Sequence, residues 1–159
     1  VEHPIKEDEQ KYSTWKSNIR NKKFSIEYID FEEYKTNKKF NLIFYAGVIY
    51  HNIDQIGHLR KLNKLASDNA YMIFESSTCR DMSLKGKNII QVHHPPYSDL
   101  YRDTKTLRYH PTKLACKSML EMTGWEIIGT CEDYVDLPIV NRINILAKKS
   151  SEPRKNFYE

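Results

Sequence analysis

The stretch from Phe40 to Glu75, FNLIFYAGVIYHNIDQIGHLRKLNKLASDNAYMIFE, constrains the fold of this chain more than any other. Residues Leu42 to Tyr45 are all apolar or aromatic, a run that suits a parallel strand buried on both faces, here from Phe40 to Ala46. Gly47 stands where that strand ends. In an open α/β sheet ligands bind just beyond the carboxyl ends of strands, and a residue without a Cβ lets a ligand approach the backbone. An amphipathic helix is expected from about Asp54 to Ala66, with Ile53, Ile56, Leu59, Leu62 and Leu65 turned inward. Ala70 to Glu75 is the next apolar strand.

The remaining chain reads as further pieces of the same kind of domain. Tyr12, Trp15 and Ile19 mark an amphipathic helix over about Lys6 to Asn18, and Phe24 to Ile29 alternates as a strand leading into Asp30. Phe31 to Tyr34 is a turn or short helix, and Lys35 to Lys39 a polar loop. Ser76 to Arg108 is expected to be irregular, broken by Gly86 and Pro95-Pro96. Connections of that length are usually lids, binding loops or disordered segments. Pro111 is placed at a helix N1 position, with Leu114, Ala115, Met119 and Met122 apolar and Gly124 at the C-cap. Trp125 to Cys131 and Ile143 to Lys148 are strands joined by a turn containing Pro138. Residues 150–159 form a polar tail.

Composition excludes several classes. At 159 residues the chain is one domain, 40% hydrophobic and 29% charged, large enough to bury a core. Its net charge of +4 is mild and its lysines are scattered or in short runs, which suits a solvated surface better than a nucleic-acid footprint. No apolar run approaches the ~20 residues that span a bilayer. Cys79, Cys116 and Cys131 are odd in number and widely spaced, which suits free thiols in a reducing, cytoplasmic setting. His93-His94 has no acidic or Cys partner at ligand spacing, so no metal is expected.

The wording of the central stretch carries a resemblance. Phe40, Asn41, Leu42, Ile43, Phe44, Gly47, Val48, Ile49, Tyr50 and His51 follow the form F-D-x-[IV]-F-x-x-G-V-[IL]-Y-H, with Asn41 in place of the usual Asp. In this the chain resembles the class I S-adenosylmethionine (SAM) dependent methyltransferases, nearest to the group that alkylates the wobble-uridine oxygen of tRNA. The resemblance implies an α/β, Rossmann-like sheet with helices on both faces and strand order 3-2-1-4-5-7-6, the seventh strand antiparallel. Phe40 to Ala46 would be the fourth strand, Phe24 to Ile29 the third, and Val1-Glu2 the tail of the second. The five glycines contain no GxGxG turn, so the first strand and its loop are missing from this sequence. Residues 1–149 are then expected to be the C-terminal two-thirds or more of such a domain, or another segment supplies the strand. Otherwise the fourth strand would leave backbone groups unpaired in the core, at about 1–3 kcal/mol each. A rearranged sheet is the alternative.

What the resemblance implies for the site can be placed residue by residue. Glu2 would hold the cofactor ribose hydroxyls, a carboxylate being an acceptor matched to two O–H donors. Asp30 and Phe31 would meet adenine, although Asp30 serves equally as the cap of the turn that follows it. Ala46, Gly47 and Val48 would lie against the methionine portion. Tyr50 and His51 fall on the acceptor side, where His51 is a base, an acceptor ligand or a helix cap. Glu75 would point into the cleft mouth beside the polar Ser76, Ser77 and Thr78. Tyr97, Tyr101, Arg102, Arg108 and Tyr109 would stack on or bind a substrate, or pack the lid. Methyl transfer to an O or N acceptor on a small molecule, sugar or tRNA base is the expected activity. A non-catalytic, partner-binding relative is the alternative.

Overall fold

The computed structural model describes residues 27, 29–79, 81–94, 107–132 and 141–151. The chain divides into two compact units, Val1–Lys35 and Thr36–Glu159. In the first, a turn runs over residues 31–33. The amides of Glu33 and Tyr34 each donate to the Asp30 carbonyl at 3.0 Å, and the Asp30 carboxylate accepts from Glu32 N at 3.0 Å. The expected helix over Lys6–Asn18 and all but two residues of the expected strand over Phe24–Ile29 lie outside the described residues. Glu27 and Ile29 are not in a strand.

The second unit holds a four-stranded sheet. Strand β1 (Phe40–Ala46) leads through a 3-10 turn at Ile49–His51 into helix α1 (Gln55–Leu65), then β2 (Ala66–Thr78). A second 3-10 turn at Met82–Leu84 is followed by β3 (Ile90–His93), β4 (Arg108–Pro111), α2 (Lys113–Met122), β5 (Trp125–Glu132) and β6 (Asn141–Lys149). The sheet order is β1-β2-β6-β5, with β1 parallel to β2 and β6 antiparallel to both its neighbours. This is the 4-5-7-6 half of the expected order, with the seventh strand reversed.

Alternation along the strands builds the core. Tyr45, Met72, Phe74, Ile143, Ile145 and Ala147 are buried on one face, against Leu59 and Leu62 of α1 and Cys116, Met119 and Leu120 of α2. Tyr45 Oη meets His58 Nδ1 of α1 at 2.9 Å, and Trp125 Nε1 donates to the Leu59 carbonyl at 3.4 Å. The opposite face carries Leu42 (61% exposed), Phe44 (73% exposed), Tyr71, Ile73 and Leu146, all exposed. Among the described residues β1 pairs with β2 alone.

Four expectations change. Strand β2 begins at Ala66 rather than Ala70, because Asn69 adopts a left-handed conformation (φ 62°) that absorbs the register shift between Phe40 and Leu42. It also runs on through Ser76, Ser77 and Thr78, which pair with β6 and are buried instead of opening a loop. The segment expected to be irregular contains the antiparallel ribbon β3–β4. Pro111 ends β4, and α2 is capped by Thr112, whose Oγ1 accepts from Ala115 N at 3.1 Å. Ile53, placed inward by periodicity, precedes the Asp54 cap and is 76% exposed. Gly124, with φ +86°, follows α2 as expected.

Candidate functional site

The turn after β1 and the ribbon β3–β4 bring the functional side chains together at the carboxyl ends of β1 and β2. Gly47 has φ +72°, a left-handed conformation that disfavours any residue with a Cβ. Its amide donates to the Glu75 carbonyl at 3.2 Å, which prolongs the β1–β2 ladder by one bond. Among the described residues, a Cβ built on Gly47 would meet only Glu75 Oε2, at 3.9 Å, so they leave the space in front of this backbone open. Ala46 pairs with Glu75 across the ladder, and Val48, exposed, leads into the 3-10 turn.

That turn is held at both ends. Ile49 is fully buried, and the amides of His51 and Asn52 donate to the carbonyls of Val48 and Ile49 at 3.0 Å each. Tyr50 and His51 project from it with ring centroids 4.4 Å apart. On its other side Tyr50 lies 5.4 Å from His110 of β4, and His110 lies 5.0 Å from His93 of β3. Period-2 geometry puts Arg108 and His110 on one face of β4, and the ladder sets His93 opposite Arg108. Gln55 anchors the ribbon to α1, its Nε2 donating to the Tyr109 carbonyl at 2.6 Å.

Glu75 departs from its expected setting. It is 8% exposed, three residues short of the end of β2, and its Oε1 accepts from Arg142 Nη1 of β6 at 2.5 Å. The bond to Glu75 raises the Arg142 guanidinium pKa above its ordinary value, with a smaller contribution from the nearby Tyr50. Arg108 differs from Arg142. Its Nη1 donates to the Leu107 carbonyl at 3.2 Å, and it has no carboxylate partner among the described residues.

Burial and these two guanidiniums hold the imidazoles neutral. His51 is lowered from its ordinary pKa by burial and then by Arg108, and His93 by burial. His110, 3% exposed, is pushed down to about 4 by burial, with further contributions from His93, Arg108, His51 and Arg142. A carboxylate, two guanidiniums, a phenol and three neutral imidazoles thus line one site.

The structure therefore gathers Ala46, Gly47, Val48, Tyr50, His51, Glu75 and Arg108, while Tyr109 falls on the opposite face of β4 from Arg108 and His110. Asp30 and Phe31 belong to the first unit. Glu2, Tyr97, Tyr101 and Arg102 lie outside the described residues. Arg142, His110 and His93 were missed as site residues. The Arg108–His110 spacing was the available signal for His110. Among the described residues no three His, Cys, Asp or Glu side chains gather as a metal site, and no helix is long and apolar enough to cross a membrane. Cys79, Cys116 and Cys131 are free thiols.

No protein-family profile matches the chain, and no curated protein matches it. Solved structures do. An S-adenosylmethionine-dependent methyltransferase from Clostridium acetobutylicum aligns at TM-score 0.58 and 14% identity, over 92% of this chain and 71% of that one. A protein from Listeria monocytogenes described as an S-adenosylmethionine dependent methyltransferase aligns at TM-score 0.66 and 12% identity, over 89% of this chain and 76% of that one. The 1,6-didemethyltoxoflavin-N1-methyltransferase of Burkholderia thailandensis, solved with 1,6-didemethyltoxoflavin and S-adenosylhomocysteine, aligns at TM-score 0.58 and 9% identity over 74% of this chain. The chain spans about half the length of that enzyme, 47%. At such identities the likeness is one of architecture, and with the strand order above it establishes the fold: a mixed, Rossmann-like α/β sheet similar to that of these solved methyltransferases.

Proposed function

We propose that this protein is a SAM-dependent methyltransferase acting on an oxygen or nitrogen acceptor. The observation that carries the reading is the position of Gly47. It ends β1 of a methyltransferase-type sheet in a left-handed conformation with open space before it, and Tyr50 and His51 follow directly. Ala46, Gly47 and Val48 would hold the methionine portion of the cofactor, with Asp30 and Phe31 at adenine and Glu2 at the ribose. When bound, SAM supplies an electrophilic sulfonium methyl. The chain's own task is to seat the acceptor at reaction distance, since positioning dominates such transfers.

Tyr50, fixed between His51, His110 and Arg142, forms one wall of the acceptor site. His51, kept neutral by burial and Arg108, has a lone pair with which to take an acceptor proton. Glu75, Arg108 and Tyr109, with Tyr97, Tyr101 and Arg102, are the proposed acceptor contacts. Small molecules, sugars and tRNA bases all fit this description, and the Gly47–His51 wording favours the tRNA wobble-uridine group among them.

Calorimetry with S-adenosylhomocysteine tests the reading. Wild-type protein should bind, and Gly47→Val should abolish binding by filling the open space, at a folding cost of about 1–2 kcal/mol for a branched residue in a left-handed position. Melting curves verify that the variant folds. Undiminished affinity in the folded variant would refute the placement. Absence of binding by the wild type would favour a non-catalytic, partner-binding protein.

A further inference from the structure

The site contains two guanidiniums and one carboxylate, and the carboxylate is already engaged. Glu75 is paired with Arg142 at 2.5 Å. Among the described residues, Arg108, half-buried on β4, has a single hydrogen bond, to the neighbouring Leu107 carbonyl, and no acid partner. A guanidinium presents five donors in a planar fork matched to a carboxylate or phosphate. Leaving such a fork half-buried without an acid sacrifices most of its bonding capacity. We propose that the methyl acceptor is an acid, its carboxylate or phosphate seated on Arg108 beside Tyr50, His51 and His110, an inference that rests on the methyltransferase reading.

The surroundings support an anion. His110 and Arg108 share one face of β4, His93 stands across the ladder from Arg108, and Tyr50 lies against His110. Among the described residues, the groups shown near Arg108 are the imidazoles of His51, His93 and His110, none of them acidic. The same guanidinium lowers the pKa of both His51 and His110. A bound anion would offset that effect and bring both imidazoles closer to protonation. A neutral acceptor would leave it in place.

The test uses benzoate and inorganic phosphate as probes and benzamide as the uncharged counterpart of benzoate. Each is titrated with and without S-adenosylhomocysteine, while the imidazole resonances of His51 and His110 are followed by NMR. Wild-type protein should bind at least one anion about tenfold more tightly than benzamide, with both imidazoles moving toward their protonated positions. Benzoate alone would identify a carboxylate acceptor, and phosphate alone a phosphate ester. Arg108→Gln should weaken the anion about tenfold or more while leaving S-adenosylhomocysteine affinity unchanged, and Arg108→Lys should retain part of the anion binding. Equal binding of benzoate and benzamide, no binding of either anion, or undiminished anion binding by Arg108→Gln would overturn the proposal. Failure to bind S-adenosylhomocysteine, with anion binding intact, would instead refute the methyltransferase reading.

Discussion

Acid should destabilise this protein through His110 before its carboxylates titrate. The side chain sits against His93 and Tyr50, and burial with the neighbouring cations pushes its pKa down to about 4. In the unfolded chain the same imidazole titrates near 6.5. Between these values the unfolded chain has taken up a proton that the native one refuses, so stability falls as pH falls. At about 1.4 kcal/mol per unit, the loss is about 2 kcal/mol by pH 5 and about 3 kcal/mol by pH 4. Near pH 4 the native imidazole also begins to protonate, and the contribution levels off. His51 and His93 are lowered too, so their contributions have the same sign. Urea unfolding followed by far-UV circular dichroism, at closely spaced pH from about 7.5 to 4.5, measures the slope. His110→Gln removes the titration and keeps a polar side chain, and its curve should be shallower than wild type by about 2 kcal/mol over that window. Carboxylate protonation is common to both proteins and cancels in the difference. Parallel curves for the two proteins would refute the account of His110.

Three further outcomes follow from named contacts. Gly124→Ala should cost about 1–2 kcal/mol in chemical unfolding, because Gly124 has φ +86° and a Cβ would meet Asn63 Nδ2 at 3.0 Å; no loss would show that the turn adjusts freely. Glu75→Gln should lower the melting temperature, with a loss of about 1–3 kcal/mol, since Arg142 stays half-buried without its acid; Glu75→Gln combined with Arg142→Met should recover part of it. Tyr45→Phe should cost about 1–2 kcal/mol by removing the bond to His58, and should accelerate hydrogen exchange in residues 48–54 more than in β6.

The sheet was legible because its strands carry the pattern that burial demands. The alternation from Ile143 to Ala147 matches the buried face of β6, and the β1-β2-β6-β5 order follows the resemblance drawn from the Gly47–His51 wording. The run from Leu42 to Tyr45 forms β1, but Leu42 and Phe44 are exposed, so the expected burial on both faces is not met among the described residues. Legibility failed where polar residues enter a core. Ser76, Ser77 and Thr78 read as the start of a loop, yet they are buried within β2, and the Ser77 and Thr78 hydroxyls have no hydrogen-bond partner among the described residues. Nor did the ribbon show itself: β3 and β4 have four residues each, too short for a period to emerge, and their pairing is long-range. Arg142 was hidden for a related reason. Its role depends on the antiparallel register that sets β6 beside Glu75, and no local pattern encodes that register.

The geometry also explains why the turn after β1 can serve as a site. Catalytic and binding groups must be held by neighbours whose own positions are locked. Here His58 of α1 is bonded on one ring nitrogen to Tyr45 and on the other to Asn52, joining the last turn of β1 to the segment after Tyr50 and His51. Asn52 Oδ1 in turn accepts from Asp54 N at 2.7 Å, and Asp54 caps α1 through Gly57 N at 2.9 Å. Gly47, at the other end, is tied to Glu75, whose carboxylate is held by Arg142. Strand, turn and helix are therefore joined by hydrogen bonds across the segment that carries Tyr50 and His51. The chain spends its buried polar groups on this turn, Tyr45, His58 and Glu75 among them, and simple core packing has no use for them there. That expenditure supports the site proposed at the end of β1.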